Sequence, residues 1–122
     1  MTLRVMIVDD ALFMRNMLKD IFLRAGYEVV AEADNGETAP ALYLEHRPDL
    51  VTMDIVMPRK SGIEALQEIM ARDPEARVVM VSALGQDSLV IEAVQAGARD
   101  FIVKPFQEAN VLAIVRRVTN RG

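Results

Sequence analysis

The chain has 122 residues, of which 52% are hydrophobic and 26% charged, and its formal net charge is -4. This composition excludes a disordered chain and is sufficient for one domain with a buried core, taken as residues 1–122. The negative charge argues against nucleic-acid binding, and the lack of cysteine excludes disulfides and thiolate catalysis. Neither a membrane-length apolar run nor a secretory leader is present, so we expect a cytoplasmic protein with no membrane partner.

Five apolar runs predict buried β-strands. They cover residues 3–8, 27–33, a run that begins at 50 and carries Asp54 near its end, 78–81 and 101–103. Most are nearly continuous in apolar residues, which is typical of parallel strands that are covered on both faces. In the second run Val29, Ala31 and Ala33 alternate with glutamates, which predicts that these three residues share one face.

Five stretches of helical periodicity alternate with the strands. They cover residues 11–25, 39 to about 47, from the loop 59–62 to 73, 87–96 and 107–119. The first helix has an apolar face at Met14, Leu18, Ile21 and Ala25. In the second helix Pro40 would remove a hydrogen bond from the interior, so we favour a start at which Thr38 is the N-cap.

This alternation of strands and helices predicts an α/β fold, in which a five-stranded parallel sheet carries five helices on both faces. One common order of such sheets is the flavodoxin-like order 2-1-3-4-5, in which the chain reverses direction between strands one and three. The reversal opens a crevice at the carboxyl ends of these two strands, where ligands bind in such folds.

Polar side chains stand at four of the predicted strand ends. Asp9 and Asp10 follow the first strand, Asp54 ends the third, Ser82 follows the fourth and Lys104 follows the fifth. Each one alone is a weak signal, since Asp10 is equally suited to be the N-cap of the first helix. Their occurrence together predicts one site at the carboxyl edge of the sheet.

The chemistry of this set favours a divalent cation and phosphoryl transfer. Three crowded carboxylates raise each other's pKa unless a cation lies among them, and hard oxygen ligands suit Mg²⁺. A carboxylate beside Mg²⁺ can act as a nucleophile toward a phosphoryl group. The Lys104 ammonium and the Ser82 hydroxyl would then neutralise or hydrogen-bond the phosphoryl oxygens.

The chain resembles the response-regulator receiver domain over essentially its whole length. The motifs that carry the resemblance are Val8-Asp9-Asp10, Met53-Asp54, Met57-Pro58, Gly62, Ser82-Ala83 and Val103-Lys104-Pro105-Phe106. The family is itself a known example of the order 2-1-3-4-5, so the resemblance and the topology are not independent predictions.

The resemblance implies a role for each site residue. Asp54 would be the phosphoacceptor, with Asp10 binding Mg²⁺ directly, Asp9 through water, and the Val56 carbonyl completing the protein ligands. The Ser82 hydroxyl would hydrogen-bond the phosphoryl group and Lys104 would pair with it.

The resemblance also implies a switch. Ser82 and Phe101 would be the moving residues, although an apolar strand residue such as Phe101 could equally pack in the core. The Lys104–Pro105 peptide bond would be cis. Val56 and Leu84 occupy positions where polar groups in other family members help orient the attacking water, so we expect a fairly long-lived aspartyl phosphate.

Within the family, residues 10–19 and 101–106 are most similar to the stand-alone chemotaxis response regulators, although Pro40 and Arg59-Lys60-Ser61 depart from the usual pattern. The resemblance implies a monomeric signalling switch that catalyses only its own phosphorylation and dephosphorylation. Its partners would be a chemotaxis histidine kinase, the flagellar motor switch protein and an aspartyl-phosphate phosphatase. The flagellar protein would bind the face formed by the fourth helix, fifth strand and fifth helix.

Three alternatives remain open. A receiver cut from a larger regulator, or a phosphorelay intermediate, would have the same motifs, although the chain end just after the fifth helix favours a stand-alone protein. An aspartate-dependent phosphohydrolase typically needs a second aspartate two residues after the nucleophile, where this chain has Val56. A flavin-binding domain of the same topology would need a Ser/Thr/Gly-rich phosphate loop in place of Asp9-Asp10-Ala11-Leu12.

Overall fold

The computed structural model describes residues 2–120, and its ten elements alternate between strands and helices as the sequence predicts. The strands are β1 (Arg4–Val8), β2 (Glu28–Ala33), β3 (Leu50–Asp54), β4 (Val78–Ala83) and β5 (Asp100–Lys104). The helices are α1 (Leu12–Arg24), α2 (Ala39–His46), α3 (Gly62–Arg72), α4 (Asp87–Gln95) and α5 (Glu108–Thr119). The chain end at 121–122, on which the expectation of a stand-alone protein rests, lies outside the described residues. No helix within residues 2–120 has the length and apolar character needed to cross a membrane.

The five strands are parallel and follow the order β2-β1-β3-β4-β5, which confirms the predicted topology. β1 and β3 are neighbours with Val8 opposite Met53, so the residues that follow β1 lie beside the end of β3. On the other side of β3, Asp54 is opposite Val81. This register brings the carboxyl ends of the three central strands to one edge of the sheet.

Helices cover both faces of the sheet and enclose two separate cores. On one face Val5, Ile7 and Val79 pack with α1 and α5. On the other face Met6 and Met53 pack with α2, α3 and α4. Because β1, β3 and β4 are buried on both faces, their sequences are apolar without alternation.

The edge strand β2 differs from its predicted pattern. Val5 pairs with Val29 and the next residue, Met6, pairs with Ala31, so the ladder contains a bulge at Val30. The bulge reverses the alternation, because one extra residue turns the following side chains to the other face. Val29 therefore packs with the α1 and α5 core, whereas Ala31 packs on the opposite face. The prediction that Val29 shares a face with Ala31 and Ala33 is wrong.

The start and the buried face of α1 also differ from their predictions. The N-cap is Ala11, with no side-chain capping bond, and Asp10 is exposed, so the alternative in which Asp10 caps this helix is wrong. Leu18 and Ile21 are buried as expected. Phe22 is buried as well, and it extends the apolar face beyond the predicted positions.

The turn into α2 depends on Asn35. Its side-chain oxygen accepts hydrogen bonds from the amides of Glu37 and Thr38, at 2.8 and 3.0 Å. Thr38 is the N-cap residue and Pro40 lies at the second helical position, which confirms the late start of this helix. The Thr38 side chain makes no capping bond, so the side chain of Asn35 supplies the acceptor at this end of the helix.

Thr52, in the middle of β3, is fully buried, and its hydroxyl has no hydrogen-bond partner among the described residues. We expect Thr52→Val, which has the same shape, to raise the free energy of unfolding by about 1 kcal/mol, because it removes an unpaired buried hydroxyl. Urea unfolding would measure the change. As the matched control, Thr52→Ser keeps the hydroxyl and loses a methyl group, and it should destabilise by about 1 kcal/mol. A valine variant less stable than wild type would contradict the conclusion that the Thr52 hydroxyl is buried without a hydrogen-bond partner.

Candidate functional site

Three carboxylates meet at the carboxyl edge of β1 and β3. Asp9 and Asp10 belong to the connection that follows β1, and Asp54 is the last residue of β3. One carboxylate oxygen from each lies within 4.8 Å of the others. Asp9 and Asp54 are buried, whereas Asp10 is exposed. The structure therefore brings together the acidic residues that the sequence placed at separate strand ends.

Lys104, the last residue of β5, is the cation of this cluster. Its Nζ is 3.4 Å from a carboxylate oxygen of Asp9 and 3.4 Å from one of Asp54. The Lys104–Pro105 peptide bond is cis. One ammonium faces three carboxylates, so the site has an excess of negative charge.

The charge excess changes the acidity of Asp54. Burial raises the pKa of this carboxyl, the charge of Asp9 raises it further, and the ammonium of Lys104 lowers it; the result is a pKa of about 6. A divalent cation bound among the three carboxylates would relieve the repulsion between them. The donor set consists of hard oxygens and so fits Mg²⁺, with Asp9, Asp10 and Asp54 as the acidic residues that would hold it.

The loop between β3 and α3 approaches the site closely. The Gly62 amide donates to the Ile55 carbonyl at 2.8 Å, and a Cβ at Gly62 would clash with the carbonyl of Asp54. A larger residue at 62 would therefore displace the end of the strand that carries Asp54. Within this loop Val56, two residues after Asp54, has a side chain that is 53% exposed.

The predicted switch residues surround one apolar cavity. Ser82, Leu84 and Phe101 line a space of about 450 Å³ beside α4 and β5. Ser82 is buried and lies within β4, not after it as the sequence suggested, because this strand extends to Ala83. Leu84 is 79% exposed. Phe101 is 39% exposed, so the alternative that its ring packs in the core is wrong for this structure.

Arg15 contacts the site although the sequence did not predict it there. This residue of α1 donates from Nη1 to the backbone carbonyl of Asp9 at 2.7 Å, and its Nε lies 3.4 Å from a Glu32 carboxylate oxygen. A basic residue one turn into a helix is ordinarily a surface charge, so the sequence contains no local signal for this contact. Only the register between β1 and β2 places Glu32 next to it.

Known proteins with similar sequences and structures lead to the same conclusion as the geometry of the site. The sequence profile described as "Response regulator receiver domain" matches residues 5–116. The chain belongs to this family. Chemotaxis protein CheY of Bacillus subtilis is 59% identical over 117 residues, which cover 96% of this chain and 98% of that protein. CheY of Thermotoga maritima is 57% identical and covers 95% of this chain and 97% of that protein.

Among solved structures, this receiver domain is similar to a chain of the CheX–CheY–BeF3–Mg²⁺ complex of Borrelia burgdorferi. The TM-score is 0.91 at 43% identity, and the match covers 95% of this chain and 88% of the other. Both of these CheY relatives are named chemotaxis proteins, and the match covers 97% or more of their length. These matches do not favour a fragment of a larger regulator, a phosphohydrolase or a flavin-binding domain.

The raised pKa of Asp54 makes stability depend on pH. In the folded state the carboxyl binds its proton up to about pH 6, whereas in the unfolded chain it releases it near 3.8. The associated stability is therefore present below the unfolded pKa and is lost as pH rises through the folded pKa. We expect Asp54→Asn, which is neutral at every pH, to stabilise the metal-free protein at pH 8 by roughly 1–2 kcal/mol and much less at pH 4.5.

Urea unfolding in the presence of a chelator would test this expectation at the two pH values. Asp20→Asn, an exposed carboxylate of α1, is the control and should change stability little at either pH. Equal effects of Asp54→Asn at pH 8 and pH 4.5 would show that its carboxylate is not under electrostatic strain.

Proposed function

We propose that this receiver domain is a phosphorylation-controlled switch of bacterial chemotaxis, working in the cytoplasm as a monomer. Asp54 accepts a phosphoryl group from a histidine kinase. The observation that carries the proposal is the cluster of three carboxylates within 4.8 Å of one another, with the Lys104 ammonium 3.4 Å from two of them. The protein acts on no other substrate, and the only reactions it catalyses are its own phosphorylation and dephosphorylation.

The transfer follows from the placement of the side chains. An oxygen of Asp54 attacks the phosphorus of a phosphohistidine, an O–P bond forms as the N–P bond breaks, and the departing imidazole takes up a proton. Lys104 pairs with a phosphoryl oxygen in place of its present carboxylate partners, and the Ser82 hydroxyl donates to another. Phosphoryl transfer mainly requires positioning and charge neutralisation, and these groups provide both.

The resident metal of the proposal is Mg²⁺. Asp10 would bind it directly, Asp9 through water, and Asp54 and the Val56 carbonyl would complete the protein ligands. When bound, Mg²⁺ neutralises the charge that accumulates between the carboxylates and the phosphoryl oxygens. The Borrelia burgdorferi complex that resembles this chain contains Mg²⁺ and BeF3, which supports the assignment.

The change on phosphorylation would pass through the cavity beside α4. Ser82 and Phe101 line this cavity, so a shift of the hydroxyl toward the phosphoryl group leaves space into which the ring can turn. Around the cavity, α4 and β5 present several exposed apolar side chains: Ile91, Val94, Phe101 and Val103. Such a patch is typical of a protein-binding surface.

We propose three partners for the switch. They are a chemotaxis histidine kinase as donor, the flagellar motor switch protein on the α4–β5–α5 face, and an aspartyl-phosphate phosphatase. The presence of CheX together with CheY in the similar Borrelia burgdorferi complex supports a further protein that binds the activated form.

The proposal can be tested with the N-terminal peptide of the flagellar switch protein. Calorimetry should show tighter peptide binding when Mg²⁺ and beryllofluoride are added together, by about tenfold, because the ligand shifts the population toward the active form. Asp54→Asn should abolish the gain. Activation without peptide binding would retain the receiver chemistry and exclude the flagellar partner. No response to beryllofluoride would overturn the site itself.

The lifetime of the aspartyl phosphate should depend on two exposed apolar residues, each two positions after a residue of the proposed site: Val56 after Asp54 and Leu84 after Ser82. We expect Val56→Asn and Leu84→Glu each to speed hydrolysis by roughly 3- to 10-fold, because a polar group at these exposed positions can orient the attacking water. Release of phosphate from the phosphorylated protein would measure the rate. Leu23→Asn is the control, because Leu23 lies at the end of α1 that is remote from Asp9 and Asp10. Unchanged rates in both site variants would contradict the role of these positions.

A further inference from the structure

Asp9 is 1% exposed, and each of its polar groups has a hydrogen-bond partner within the protein. Its amide donates to the Ala33 carbonyl at 3.0 Å, and its Oδ1 accepts from the Ala11 amide at 2.9 Å. Its Oδ2 is 3.4 Å from Lys104 Nζ, and its carbonyl accepts from Arg15 Nη1 at 2.7 Å. Four different parts of the fold therefore set the orientation of this residue.

The contact with Arg15 replaces a hydrogen bond of the sheet. The Asp9 amide bonds to Ala33, so the regular continuation of the parallel ladder would bring the amide of Asn35 to the Asp9 carbonyl. β2 ends at Ala33 and the chain turns away through the bend at residues 34–35. The carbonyl needs another donor at this point, and the guanidinium of Arg15 supplies it.

Glu32 holds the guanidinium in place. Its Oε1 is 3.4 Å from Arg15 Nε, while its Oε2 is 3.0 Å from Lys19 Nζ. The Arg15 side chain as a whole is only 15% exposed. A planar guanidinium can point two N–H groups at two acceptors at once, which the single nitrogen of a lysine cannot do in the same geometry.

We propose that Arg15 is a positioning residue for the metal site. By holding the Asp9 carbonyl it fixes the peptide unit between Asp9 and Asp10, and thereby the direction in which the exposed Asp10 carboxylate is presented. In this role Arg15 acts through the backbone of Asp9 and Asp10 and not by direct contact with the cation or the phosphoryl group. The inference rests on the proposed function, because it assumes that the carboxylates bind Mg²⁺.

Loss of the positive charge of Arg15 and loss of its positioning effect should change the Mg²⁺ affinity in opposite directions. Arg15→Met deletes a positive charge near an acidic site, so electrostatic attraction alone would strengthen binding of a cation. Loss of positioning would weaken it, because groups that orient metal ligands typically contribute 10- to 100-fold in affinity. The sign of the change therefore distinguishes the two effects.

The experiment is a calorimetric titration of Mg²⁺ into wild type, Arg15→Met and Arg15→Lys, with Lys19→Met as the matched control. We expect about tenfold weaker binding for Arg15→Met and incomplete recovery for Arg15→Lys. Lys19→Met removes the other positively charged partner of Glu32, and Lys19 has no contact with Asp9. This variant should bind Mg²⁺ as wild type does or slightly more tightly. Glu32→Gln should weaken binding by a smaller factor than Arg15→Met.

A second readout does not involve the metal. In the metal-free protein, hydrogen exchange of the Ala11 amide reports on its bond to the Asp9 carboxylate, and exchange should be faster in Arg15→Met and unchanged in Lys19→Met. If Arg15→Met fails to fold, Glu32→Gln provides both readouts with a smaller change in the fold.

Equal or tighter Mg²⁺ binding by Arg15→Met, with the Ala11 amide as protected as in wild type, would overturn the positioning role. A merely structural role would lower stability in urea without changing the Mg²⁺ affinity of the folded protein, and this result would overturn it as well. If wild type itself binds no Mg²⁺, the proposed function fails. In that case, an unchanged rate of hydrogen exchange at the Ala11 amide in Arg15→Met would separately show that Arg15 does not position Asp9.

Discussion

The repulsion among three carboxylates at one edge of the sheet is the constraint on which the rest of the site depends. Asp9, Asp10 and Asp54 would separate if their backbones were free to move, because a single ammonium, that of Lys104, balances them only in part. They stay together because β1 and β3 are neighbouring central strands with apolar cores on both faces. Burial raises the pKa of Asp54, and the enforced proximity of Asp9 raises it further. The stability of the packed sheet thus maintains a cluster of charge that is unfavourable without a cation.

The backbone around the cluster is held by close packing and by hydrogen bonds. Gly62 allows α3 to begin directly against the carbonyl of Asp54, at a separation that no side chain would tolerate. On the other side, Asp9 is held by bonds from its neighbours in the sheet, from its own loop and from α1. The backbone of the cluster is therefore preorganised, and the rearrangement that a phosphoryl group would require in the proposed function falls on the side chains of Lys104 and Ser82.

In the proposed function, the response to phosphorylation would have to pass from this site to the surface. β4 and β5 offer a route for it, since Ser82 and Phe101 lie on adjacent strands and line the same cavity. Val81, directly opposite Asp54, precedes Ser82, so Ser82 is one residue away from the register of Asp54. The surface where Phe101 is exposed therefore lies within a few residues of the acidic site. A change at the site can reach this surface through few intervening residues.

The sequence by itself determined the order of the elements, the parallel sheet and the residues at its carboxyl edge. Strand and helix periodicity are local properties, and a polar residue that ends an apolar strand is visible in the same few positions. Tertiary structure alone decided the bulge at Val30, which moves Val29 to the other core, and the bond from Arg15 to the Asp9 carbonyl. Both depend on how β1 and β2 pair and where β2 turns away. That register is a relation between segments more than twenty residues apart, and no local pattern encodes it.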